Sequence, residues 1–243
     1  MTATDLSPTE HTEHSDDAHP WLLRLLLDPG HRQVQRDLRD AAALHRRVMS
    51  LVPDGLGTSP RARAGALFRL DLDSAGPPVL LVQSGLAPDP GRLPAGYAQS
   101  ATLKDMAPMF RALQPGLPVR YRILANTVRR CGPNSTAGRW KQVIPLHPEE
   151  AEQWWATRAA AAGLQLRTLL PSPLDAIISR HSPKDTPPPD APQAPKNIPR
   201  ATTLFEGTAT VNDPQALRHA LLHGIGRSKS YGCGLLSLAP DQN

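Results

Sequence analysis

Two stretches of this chain hold residue types that could do chemistry. One is His45-Arg46-Arg47. The other is Gly224-Ile225-Gly226-Arg227-Ser228-Lys229-Ser230-Tyr231-Gly232-Cys233-Gly234, followed by the apolar Leu235-Leu236-Ser237-Leu238. The second places four glycines and two cations in eleven residues. Glycine tolerates positive φ and lets backbone N–H groups close on an anion. Arg227 and Lys229 add positive charge where that anion would sit, with Ser228 between them. A phosphate is the natural guest. The glycines do not spell G-x-G-x-x-G, and no G-x-x-x-x-G-K-[ST] is present, so neither nucleotide fingerprint applies. The competing reading is a glycine-rich turn that only reverses the chain.

Histidine is the side chain that titrates near neutral pH. Of the nine histidines, His45 lies on the edge of an apolar helical stripe (Leu44, Val48, Leu51) and is followed at once by two arginines. Such a histidine is either a core residue or a proton carrier. The others have plainer readings as arm, cap or polar-face residues. There is no G-x-S-x-G elbow, no H-E-x-x-H and no acidic cluster of the two-metal kind. Phosphodiester cleavage by this chain would therefore use no metal. RNA allows that, because its 2′-OH can attack the adjacent phosphate. The protein then supplies an acid or base near neutral pKa and cations for the transition state.

Charge points to a polyanion. The sequence has 243 residues and a net charge of +5. Residues 1–20 carry five acids and no Lys or Arg, leaving 27 cations against 17 acids in the remainder. From Arg111 to Lys141 there are seven cations (Arg111, Arg120, Arg122, Arg129, Arg130, Arg139 and Lys141) and no acid. Arginine predominates, which suits bidentate phosphate contacts. No signal peptide and no membrane-spanning run are visible, and two cysteines are too few for a disulfide framework. A reducing, cytoplasmic setting follows.

The elements that must position these residues can be read in order. Residues 1–19 read as a disordered acidic arm. Trp21–Leu27 reads as a strand, and Asp40 caps a helix reaching about Val52. Ala66–Asp71 and Val79–Ser84 read as strands, Leu103–Leu113 as a helix and Val119–Ala125 as a strand. That order, β-α-β-β-α-β, is the ferredoxin-like unit. It recurs as Trp140–Leu146, Pro148–Ala162, Leu164–Leu170, Thr203–Val211, a helix from Asp213-Pro214 to His223, and Leu235–Leu238. The expected class is α+β: two tandem ferredoxin-like (RRM-like) domains over 20–126 and 139–243, a linker at 127–138, and a C-terminal glycine-rich loop. Residues 181–199, with seven prolines, read as a loop.

In this setting the chain resembles the CasE family, the CRISPR-associated endoribonucleases of type I-E Cascade. The resemblance rests on Trp21–Pro29, Arg36-Asp37-Leu38 with Leu44-His45-Arg46, Val79–Ser84 with Gly96-Tyr97-Ala98, Arg120–Asn126, Phe205-Glu206-Gly207 and the tail His223–Pro240. It implies cleavage of CRISPR repeat RNA at the base of a stem-loop, without metal or small-molecule cofactor. The products would carry a 2′,3′-cyclic phosphate and a 5′-OH, and the hairpin would stay bound beside other Cascade subunits. The family's catalytic histidine corresponds to His45. Its tyrosine, three residues earlier, falls at Ala42, so either His45 works with arginines or Lys229, or a different side chain fills the gap. Expected RNA contacts are Arg36, Arg39, Arg46, Arg47, Gly224, Gly226, Arg227 and Ser228, then Arg120, Arg122, Arg129, Arg130, Arg139 and Lys141. A non-cleaving hairpin-binding subunit and a small-anion regulatory module are the competing functions.

Overall fold

A computed structural model describes residues 19–72, 76–180 and 197–241. The acidic arm, apart from His19, and the proline-rich segment up to Lys196 lie outside the described residues.

In chain order the first elements are β1 (Trp21–Leu27), α1 (Arg32–Leu38), α2 (Ala41–Ser50), α3 (Pro60–Arg63), β2 (Leu67–Asp71), β3 (Val79–Ser84) and β4 (Ala98–Asp105). Next come α4 (Ala107–Ala112), β5 (Pro118–Asn126), β6 (Val128–Arg130), β7 (Val143–Pro145), α5 (Pro148–Ala161) and β8 (Leu164–Leu166). The chain continues with β9 (Leu170–Arg180), β10 (Asn197–Val211), α6 (Pro214–His223) and β11 (Leu236–Pro240). Short 3-10 turns cover Pro90–Arg92 and Lys229–Tyr231.

A four-stranded and a five-stranded antiparallel sheet result. The first sheet runs β2-β3-β1-β4, and the second runs β11-β5-β10-β8 with β9 also paired to β10. Each follows the ferredoxin-like pattern: the first strand at the centre, between the third and the fourth. In β1 the alternation is strict. Leu23, Leu25 and Leu27 are buried under α1 and α2, while Arg24 faces out. Asp40 caps α2 by accepting from the Ala42 N–H at 3.0 Å, which satisfies one orphan amide of the first turn. In the second half Tyr121, Ile123, Phe205 and Ala209 meet Trp155, Ala159, Leu217 and Leu221 from α5 and α6.

Sheet pairing corrects three sequence expectations. The strand expected at Val119–Ala125 forms, but it pairs with β10 and β11 and opens the second half. The fourth strand of the first half is instead β4, where the sequence suggested the start of a helix. It lacks an apolar stripe because it is an edge strand, exposed along nearly its whole length. Trp140–Leu146 yields only β7, paired with β6 in a small separate hairpin. The passage between the halves therefore runs through α4, between β4 and β5, and the stretch 127–138 belongs to that hairpin and its turn. The second crossover of the first half carries only the 3-10 turn at Pro90–Arg92.

The halves are stitched by polar contacts. Arg69, on β2 and 2 % exposed, donates from Nη1 to Ser237 Oγ at 2.9 Å and to the Arg122 carbonyl at 3.1 Å. Its Nε pairs with Asp71 at 2.8 Å. Gln83 donates to the Leu221 carbonyl at 2.6 Å.

Candidate active site

His45 is the fifth residue of α2, on the side turned toward the second half. Its ring stacks on Phe68 of β2 at 6.3 Å between centroids. Nδ1 is buried without a hydrogen-bond partner among the described residues. Burial, then the charges of Arg61 and Arg46, hold its pKa below the ordinary 6.5. The sequence could not settle that sign, because a helix start and an incoming phosphate push in opposite directions. In the RNA-free protein, desolvation and two neighbouring cations decide it in favour of neutral imidazole.

The glycine loop packs against α2 and β2 through the turn Lys229–Tyr231. Its conformation explains its composition. Gly224, Gly226, Gly232 and Gly234 all have positive φ, and Ser228 joins them at 58°. A Cβ on Gly224 would lie 2.8 Å from Leu67 Cδ2, and one on Gly234 would lie 2.6 Å from the Ile225 carbonyl oxygen. The N–H groups of Gly224, Ile225, Tyr231, Cys233 and Gly234 all bond within the protein. Gly224 and Gly226 therefore serve the shape of the loop: one caps α6 and the other lies on the Trp154 ring. Arg227 is exposed. Ser228 Oγ donates to Asn126 Oδ1 at 3.2 Å. Lys229 Nζ donates to the His223 carbonyl at 2.6 Å. Burial and Arg61 pull the Lys229 ammonium below its usual 10.5.

The fold thus joins His45 and Arg46 from one half to Lys229 from the other. Arg61 on α3 completes the group, since its charge reaches both His45 and Lys229. No motif marks Arg61. Its only signal in the sequence is the Pro60 that starts a one-turn helix.

Other expected contacts are placed differently. Arg36 and Arg39 are exposed at the end of α1. Arg47 has structural partners: Nε meets Asp37 at 2.9 Å, and the guanidinium lies 4.8 Å over the Tyr97 ring. The Tyr97 hydroxyl donates to Asp37 at 3.0 Å, and burial with that carboxylate pushes its pKa well up. Arg120 is exposed on β5, whereas Arg122 is shared by Glu206 at 3.1 Å and Asp71 at 3.7 Å. Arg129, Arg130, Arg139 and Lys141 belong to the β6–β7 hairpin and its turn. Arg129 pairs with Glu150 at 3.1 Å, Arg130 and Arg139 are exposed, and Lys141 Nζ sits 4.0 Å over the Trp140 ring. Among the described residues no three His, Cys, Asp or Glu side chains converge on a metal-sized site, and no helix is long and apolar enough to cross a membrane.

Two ferredoxin-like halves place a half-buried histidine and a lysine at their seam. Residues 20–240 match the family described as CRISPR associated protein. The chain is 33% identical over 221 residues to the CRISPR-associated endoribonuclease Cse3 of Thermus thermophilus, covering 90% of this chain and 100% of that one. It is 29% identical over 210 residues to the Cascade subunit CasE of Escherichia coli, covering 83% and 93%. The structure of CRISPR endoribonuclease Cse3 bound to a 19-nucleotide RNA superposes with a TM-score of 0.74 at 31% identity, over 90% of this chain and all of that one. The chain belongs to this family of CRISPR-associated proteins, among the Cse3/CasE endoribonucleases.

Proposed function

We propose that this protein cuts the repeat hairpins of a CRISPR precursor transcript and keeps the hairpin as a subunit of Cascade. The observation that carries the reading is the convergence of His45, Arg46 and Lys229, from opposite halves of the fold, around one seam with an excess of positive charge. The family membership supplies the substrate class.

The chemistry needs no group beyond RNA and protein. The 2′-oxygen attacks the adjacent phosphorus, and the bond from phosphorus to the 5′-oxygen breaks. Neutral His45 takes the 2′-OH proton, and water returns a proton to the departing 5′-oxygen. Lys229 and its neighbouring cations meet the charge gathering on the phosphoryl oxygens. The products are a 2′,3′-cyclic phosphate and a 5′-OH. Arg36, Arg39, Arg46, Arg120 and Arg227, all exposed, hold phosphates of an A-form stem, whose deep major groove hides its bases. The glycine loop argues against a small-anion regulatory site, because so many of its amides bond within the protein.

The test is single-turnover cleavage, in EDTA, of the repeat RNA encoded beside this protein's own gene, with end-group analysis of the products. His45→Ala is expected to bind the hairpin as the parent does and to lose at least about 100-fold in rate. Full cutting by that variant would remove His45 from the mechanism. Tight binding with no cutting by the parent would make the protein a hairpin-holding subunit only.

A further inference from the structure

Arg61 is clamped twice to one residue, Ala66. Its carbonyl accepts from the Ala66 N–H at 2.9 Å, and its Nη1 donates to the Ala66 carbonyl at 3.2 Å. The turn beneath is fixed as well, because the Ala64 carbonyl accepts from Gly85 N–H at 2.8 Å and from Ser84 Oγ at 3.0 Å. Two residues beyond Ala66, the Phe68 ring stacks on His45. The same ring lies under the glycine loop, where a Cβ on Gly232 would sit 3.3 Å from it. Arg61, His45 and the loop are therefore arranged around one aromatic wall. The bond to Ala66 uses one of the five N–H donors of the guanidinium.

We propose that Arg61 is a further cation of the cleavage site, held beside the Phe68 ring that His45 and the glycine loop share and contacting the phosphodiester that is cut. This rests on the function proposed above. The charges that bear on His45 are Arg46 on its own helix, α2, and Arg61 on α3, and the nearest carboxylate on α2 is the cap, Asp40. Asp40 caps the helix and lies 3.9 Å from Arg46. Cations therefore outnumber carboxylates around a half-buried imidazole. That excess is unfavourable in the empty protein and is relieved when a phosphate enters. The Arg61 charge also holds both His45 and Lys229 below their usual midpoints, after the larger effect of burial. Its part in the reaction is to neutralise the phosphoryl oxygens as the 2′-oxygen attacks. It also keeps His45 in the base form until RNA arrives. It does not hold the stem.

The full-length protein is tested with Arg61→Gln, Arg61→Lys and, as a control on the same helix, Arg63→Gln. In the RNA-free protein, the His45 ring is titrated by NMR. With the cognate repeat hairpin, binding and single-turnover rate at saturating RNA are measured. Arg61→Gln is expected to raise the His45 midpoint by about half a unit or more. It should slow cutting roughly 100-fold, with hairpin affinity changed less than about threefold. Arg61→Lys should keep most of the low midpoint and recover part of the rate, and Arg63→Gln should match the parent in both. The proposal is overturned if Arg61→Gln leaves the midpoint or the saturated rate at the parent value. It is also overturned if the loss appears only in affinity, or if Arg63→Gln does the same. The NMR arm needs no cleavage. Failure of the wider functional reading, seen as no cutting by the parent, is thus distinguishable from failure of this one.

Discussion

His45 is kept neutral by its surroundings before any RNA binds, and that state is the one a general base needs. The sign of the pH effect follows. Below its lowered midpoint the imidazole is protonated and cannot accept the 2′-OH proton. At subsaturating RNA the cleavage rate should climb with pH and level off, with a midpoint below 6.5. A rate that falls with rising pH over that range would assign His45 the acid's part. Stability carries the same signature. Between the folded midpoint and 6.5 the unfolded chain binds a proton that the folded chain refuses, so stability falls as pH falls through that window. His45→Gln should flatten that segment of a urea-denaturation series. The residues themselves were legible to different degrees. His45 and Lys229 could be picked out because one follows an apolar stripe and the other sits among glycines. Arg61 could not, because its role comes from a distance that only the folded chain creates. Arg47 looked like a free cation, yet it partners Asp37 and Tyr97, residues 10 and 50 positions away in sequence.

At the level of elements, the glycine loop shows why backbone conformation comes before charge. Gly234→Ala would put a Cβ 2.6 Å from the Ile225 carbonyl oxygen at a φ of 89°. Strain and displacement together should cost about 2–4 kcal/mol, read as a lower urea midpoint at unchanged slope. Cutting should fall further than stability alone explains, because Lys229 rides on the same loop. Elements with strong local signals were readable: β1 from its short apolar run, α2 from Asp40, α5 from Pro148 and its acidic first turn, and α6 from Asp213-Pro214 and Gly224. The weak ones were not. β4 is an exposed polar edge strand, defined by its pairing with β1. α1 is a seven-residue helix capped by His31, whose two short and mostly polar turns resemble a loop in sequence. β5 was seen as a strand, but nothing local says which sheet it joins. Long-range pairing decides that.

For the whole molecule, the seam between the halves is as important as either core. Arg69→Met keeps much of the side-chain volume but leaves the Arg122 carbonyl and Ser237 Oγ without their donor and Asp71 without its closest cation. A loss of about 2–4 kcal/mol is expected in urea denaturation. Cleavage should drop as well, since His45 and Lys229 lie on opposite sides of that seam. Equal activity per folded molecule would show that the halves find their relation without it. The split site also has a consequence for synthesis. Lys229 is added roughly 180 residues after His45, a delay of about 10–40 s at usual elongation rates. Once β4 has been added, a ribosome-bound chain can fold its first half and meet cellular transcripts for the remainder of that time. It cannot cut them through this site, because the partner cation has not yet been translated.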